Sequence, residues 1–137
     1  MRDDFSREVK EALANRVAKR CSYPDCGAVT SGPQDDPRKA VNLGVAAHIT
    51  GASPGGARYD AAMTPEQRQD ISNGIWFCQN HGKLVDNDPT RFPAGLLQEW
   101  KAAAEEWARA NVGRTWGRRP QASTANRTPA AQESDWD

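Results

Sequence analysis

Apolar side chains recur at Phe5, Val9, Leu13 and Val17, each four residues from the last, among Arg, Lys and Glu. That spacing places one apolar stripe along a helix and predicts an amphipathic helix over residues 5–19. The helix delivers the chain to Cys21-Ser22-Tyr23-Pro24-Asp25-Cys26-Gly27, where Pro24 and Gly27 predict a tight turn instead of more helix. Gly32-Pro33-Gln34-Asp35-Asp36-Pro37 reads as polar loop. Residues 40–49 form a short apolar stretch, read as a buried strand with helix as the competing assignment because of its alanines. Between Thr50 and Asp60 the density of Gly and Pro suits neither helix nor strand and predicts loop.

Thr64-Pro65-Glu66-Gln67 carries the marks of a helix start: a hydroxyl to cap, Pro at the first helical position and Gln three residues on to reach back. A short helix is expected there. Asn73-Gly74-Ile75-Trp76-Phe77-Cys78 has the β-branched and aromatic content of a strand, and residues 78–86 are expected to begin a turn or helix. Over residues 93–111, Leu96, Leu97, Trp100, Ala103, Ala104, Trp107 and Ala108 share one face and Lys101, Glu105 and Arg109 another, which predicts a last helix. Trp76, Trp100 and Trp107 sit in these apolar patterns and are assigned to the core. From Gly113 to Asp137 the composition turns to Arg, Pro, Gln, Ser, Thr and Ala, too little apolar surface to offset ordering, so a disordered tail is expected at 113–137.

Length and charge narrow the class. At 137 residues, with 37% hydrophobic and 26% charged, the chain has the size of one domain. No run is long and apolar enough to span a bilayer, and the charged opening Met1-Arg2-Asp3-Asp4-Phe5 is unlike a signal peptide, so a cytoplasmic protein with no membrane partner is expected. Eighteen Lys+Arg balance 18 Asp+Glu, so any basic surface must be local.

The cysteines add chemistry. There are three, Cys21, Cys26 and Cys78, and one of the two histidines, His81, stands three positions after the last. An odd count argues against a disulfide framework, whereas Cys21-x4-Cys26 and Cys78-x2-His81 are two short-spaced pairs of the kind that hold tetrahedral zinc. The segment braced between the pairs contains His48, the other histidine.

Taken in order, Cys21-x4-Cys26, Ala46-Ala47-His48-Ile49, Gly55-Gly56-Ala57-Arg58-Tyr59-Asp60, Asn73-Gly74-Ile75-Trp76-Phe77-Cys78-Gln79-Asn80-His81 and Leu84-Val85-Asp86 resemble the HNH, or ββα-metal, endonucleases that carry a zinc knuckle. The resemblance covers residues 17–107 and is nearest to the nuclease domains joined to cyclic-nucleotide sensors in bacterial anti-phage effectors, which share the Ala-Ala-His-Ile form. It implies an α+β fold: a small ββα-metal core with a zinc knuckle, flanked by N- and C-terminal helices, within a nuclease domain of residues 1–112. It implies DNA as partner and a metal-dependent phosphodiester hydrolase, with His48 as general base and Asn73 fixing the hairpin and the histidine. Cys21, Cys26, Cys78 and His81 would hold a structural Zn2+. Ala47 and Gly82 stand where many members have ligands for the catalytic Mg2+ or Mn2+, so Asp86 is the nearest oxygen donor for that ion, with Asp60 second. Arg58 is a candidate substrate-binding residue at a phosphate. A homodimer and a sensor or regulatory partner are compatible with the resemblance. The alternative from another class is a catalytically degenerate, zinc-stabilised module that binds DNA or protein.

Overall fold

The computed structural model of the protein describes residues 2–115. The expected tail therefore falls, from residue 116 onward, outside the described residues. Helix α1 spans Arg7–Arg16, with the Ser6 side chain accepting from the Val9 amide as its cap. It is shorter than its apolar stripe at both ends. Phe5 lies before the cap yet is buried, and past the C-terminus Ala18 and Lys19 take left-handed backbone angles, φ 56° and 58°. Those two residues reverse the chain, so that the Lys19 carbonyl accepts from the Thr30 amide at 3.0 Å.

Strands β1 (Ser31–Pro33) and β2 (Ala40–Asn42) pair antiparallel as a small hairpin, so part of the segment expected to be loop is strand. The apolar stretch over 40–49 is strand, as expected, but it divides at Leu43 into β2 and β3 (Gly44–His48), which belong to different sheets. Leu43 turns aside to give its amide to the Thr30 carbonyl, and the Asn42 side chain accepts from the Gly44 amide. Gly44 is obligatory there: a Cβ would lie 2.1 Å from the Trp76 ring.

β3 pairs antiparallel with β4 (Gly74–Cys78), with Gly44 opposite Cys78 and His48 opposite Gly74. Between the two strands runs the long segment that contains α2 (Pro65–Gln69) and a 3-10 turn, Ile71–Asn73. At the start of α2, Thr64 and Gln67 form both halves of the capping box expected from the sequence. Helix α3 (Gln79–Asn87) follows β4 directly, and α4 (Ala94–Asn111) closes the described chain. The result is a small α+β fold of four helices and two antiparallel pairs among the described residues.

The β3–β4 pair divides two apolar clusters, as the alternation of a strand requires. Ala47, Ile49, Ile75 and Phe77 join Val85 of α3 and Leu97 of α4 on one face, whereas Trp76 joins Phe5, Leu13, Ala14 and Val17 on the other. Helix α3 lies so close to β3 that a Cβ at Gly82 would meet Val45 Cγ2 at 2.6 Å. Trp76 is buried and Trp100 packs beside Tyr23 and Phe92, in line with core positions. Trp107 departs from that expectation: it is 39% exposed and carries the Arg20 guanidinium 4.7 Å above its ring.

Candidate metal centre and histidine cleft

The knuckle begins where α1 ends. Asp25 and Gly27 adopt left-handed angles, φ 65° and 57°, and bend the chain so that Cys26 returns toward Cys21. The Ser22 amide donates to the Trp76 carbonyl at 2.9 Å, which fastens the turn to β4. From the other side, Cys78 stands at the N-cap of α3 and His81 in that helix's first turn.

The four donor atoms of Cys21, Cys26, Cys78 and His81 all lie within 4.8 Å of one another. His81 Nδ1 is 3.4 Å from Cys78 Sγ and 3.6 Å from Cys21 Sγ. A tetrahedral ion with Zn–S near 2.3 Å and Zn–N near 2.0 Å has an S···N edge of roughly 3.5 Å, so the donor set fits zinc in type and size. Tyr23, between the two cysteines of the turn, stacks on the His81 ring at 3.8 Å and 5°, and holds the imidazole plane. Burial pushes the Cys21 thiol up to about 12, so without a cation that sulfur keeps its proton. A bound metal reverses that preference by taking the thiolate as ligand. The cluster can thus hold a metal ion such as zinc.

His48, at the end of β3, is 5% exposed. Its Nε2 lies 2.9 Å from the Asp3 carbonyl, and the Phe5 ring stacks on it at 3.9 Å and 8°. A carbonyl only accepts, so Nε2 carries the hydrogen and Nδ1 the lone pair. Nδ1 is buried and has no hydrogen-bond partner. Burial, which disfavours the charged ring, lowers the His48 pKa from its ordinary value, opposed by the Asp3 carbonyl. His48 lines a cleft of about 470 Å³ together with Asp86, Lys83 and Gln79 of α3 and with Arg2.

Arg58 is placed differently from its expected role at a phosphate. Its side chain is 5% exposed, and its guanidinium donates to the carbonyls of Ile49 at 2.7 Å, Val85 at 2.8 Å and Phe92 at 3.2 Å. It also meets Asp86 Oδ1 at 2.7 Å. Those partners commit the guanidinium to bracing the loop after β3 against α3. Asp60 does not line the cleft; its carboxylate accepts from the Ala62 amide. Among the described residues, the Cys/His cluster is the sole group of three or more potential metal donors.

Asn73 is buried and closes the neck of the inserted segment. Its amide side chain accepts from Thr50 N at 2.9 Å and donates to Thr50 O and Arg68 O, each at 3.0 Å. It therefore fixes the turn just beyond His48 without touching the ring. Ala47 and Gly82 have packing reasons: Ala47 belongs to the apolar cluster, and Gly82 allows α3 its approach to β3. Asp3 and Phe5, which meet His48, and Arg68, which meets Asp3, were not legible from spacing because these contacts exist only in three dimensions. Tyr23 had a signal, an aromatic inside the Cys21–Cys26 turn. No family model matches the chain, and no curated protein matches it. Among the described residues, no helix is long and apolar enough to cross a membrane.

Proposed function

We propose that this protein is a metal-dependent HNH-type endonuclease that hydrolyses DNA phosphodiester bonds with His48 as general base. The observation that carries the reading is the state of the imidazole: Nε2 is tied to a carbonyl, Nδ1 is without a partner, and the ring borders a cleft with a carboxylate. The order β3, β4, α3, with the Cys/His cluster at the end away from His48, supports it. In the reaction, a water that enters from the cleft and reaches the buried His48 Nδ1 would give it a proton while the water oxygen bonds to phosphorus. The bond from phosphorus to the leaving oxygen breaks, and that oxygen takes a proton from solvent.

A lowered pKa keeps His48 neutral near pH 7, the form a base requires. Asp86 is the cleft's carboxylate for Mg2+ or Mn2+, which, when bound, offsets charge on the phosphate. Such ions use one or two carboxylates together with water and substrate oxygens; Asp86 would offer its other oxygen, Oδ1 being paired with Arg58. Four protein donors would leave no open position on a zinc held there, whose role would be structural. With Arg58 committed internally, Arg2 and Lys83 are the cations lining the cleft that suit a phosphate. Anti-phage defence, a homodimer and a sensor partner belong to the same reading. The rival, a zinc-stabilised binding module without cutting, is favoured by the Arg58–Asp86 ion pair at 2.7 Å, which offsets the carboxylate's charge.

The test is plasmid cleavage by zinc-loaded wild type and His48→Ala in Mg2+, Mn2+ or EDTA, with DNA binding measured in parallel. Cutting that needs both His48 and added metal is the expected result. Unchanged nicking by His48→Ala overturns the assignment of the base. DNA binding without cutting by folded wild type in every metal favours the rival.

A further inference from the structure

We infer that Arg68, acting through Asp3, is a positioning residue for His48: it anchors the segment that holds the imidazole with Nδ1 as its basic atom. The catalytic consequence rests on the reading of His48 as the base; the state of the ring does not.

Residues 3–5 touch His48 twice. The Asp3 carbonyl takes the Nε2 hydrogen, and the Phe5 ring covers one face of the imidazole. The segment's internal bond, from the Phe5 amide to Asp4 Oδ1 at 3.1 Å, does not tie it to the rest of the chain, so its position depends on what its other groups meet. The Asp3 amide donates to the Ala52 carbonyl at 2.9 Å. Its carboxylate meets Arg68 Nη1 at 3.0 Å, with the two side chains 15% and 7% exposed respectively.

Arg68 is itself fixed. Its Nη2 donates to the Asp60 carbonyl at 3.0 Å, its guanidinium lies 4.6 Å from the Tyr59 ring centre, and its own carbonyl accepts from Asn73 at 3.0 Å. One network therefore joins Asn73 to His48 through Arg68 and Asp3, across segments 65 and 45 positions apart. Removing one partner of a buried ion pair leaves the other charge uncompensated, so loss of the pair would displace the segment from the ring. Around His48 the charged groups are Arg2, Asp4 and Asp86, with Lys83 in the same cleft and Arg58 Nη2 3.4 Å from the His48 carbonyl.

The experiment compares the full zinc-loaded chain with Asp3→Asn, which keeps the main-chain carbonyl and removes the ion pair, and with Asp3→Glu, which restores a carboxylate. Ring nitrogen NMR reads both histidines of the chain directly. Wild-type His48 is expected as the Nε2–H tautomer. Asp3→Asn should give a mixture of tautomers and a His48 pKa nearer its ordinary value, with His81 and zinc content unchanged. In cleavage, kcat should fall by about tenfold with KM nearly constant, as expected for a misplaced base, and Asp3→Glu should recover most of it.

Wild-type His48 in the Nδ1–H form overturns the inference without recourse to any variant. So does Asp3→Asn with the wild-type tautomer and pKa, or with faster cleavage, which would make residues 3–5 a cover instead of a support. If wild type cuts no DNA in any metal, the nuclease reading fails while the ring measurements still decide the positioning.

Discussion

The chain's two histidines sit under aromatic rings in nearly the same way, yet their ring nitrogens meet different partners. Tyr23 stacks on His81 at 3.8 Å and Phe5 on His48 at 3.9 Å, each within 8° of parallel. What separates them is the partner of each nitrogen. His81 turns Nδ1 toward two sulfurs, where a soft cation can take its lone pair. His48 gives Nε2 to a carbonyl and leaves Nδ1 unpartnered. An aromatic clamp fixes a ring plane, but what the ring can do follows from what faces Nδ1.

The sharpest way to break this contrast is to remove the metal site. Chelation, or Cys78→Ser, should unfold the domain or leave it partly folded, because structural zinc contributes on the order of 10 kcal/mol in small zinc-dependent folds. Far-UV circular dichroism with metal analysis reads the loss, and the His48 NMR signal should collapse with it. A native-like His48 signal in the metal-free protein would show that the two regions are independent.

Gly82→Ala tests the helix that serves both regions. The added methyl meets Val45 at 2.6 Å, and overpacking of this kind costs about 1–3 kcal/mol, measurable by urea titration. Next in size is the pH response of His48. Its folded pKa lies below its unfolded one, so the unfolded state binds more protons in the window between them. The contribution is fully present above pH 6.5 and is lost as pH falls through the folded value, detectable as a lower urea midpoint that His48→Gln should flatten. Smallest is Glu105→Gln on α4. Arg16 of α1 meets both Glu105 oxygens at 2.9 and 3.1 Å, and Lys101 meets one at 3.4 Å; the Arg16 side chain is 52% exposed, so loss of its pair should cost about 0–1 kcal/mol and shrink with salt. Neither histidine should respond.

The metal cluster was legible because each half is local. Cys21-x4-Cys26 and Cys78-x2-His81 each place two donors on one turn, and only the joining of the halves required the fold. The α+β class, the α2 capping box, β4 and α4 were legible for the same reason, since short-range periodicity and caps determine them. The surroundings of His48 were not. Asp3 reads as one of several acidic residues near the start, and Arg68 as a surface charge on a five-residue helix. Their pairing is set by how the inserted segment folds back, which carries no periodic signal. Arg58 failed in the opposite sense: an arginine in a Gly-rich loop reads as exposed, whereas the loop wraps its guanidinium in carbonyls. The division at Leu43 likewise came from the bond its amide gives the Thr30 carbonyl, a contact invisible along the chain.

The 60 positions that separate Cys21 from His81 also have a meaning in time. At roughly 5–20 residues per second of synthesis, the first knuckle waits on the order of seconds for the second. During that interval the nascent chain carries an open two-thiol chelate, free to take up a soft metal or an oxidant before its proper partners exist. The four-donor set that could hold a metal such as zinc is complete only once His81 has emerged.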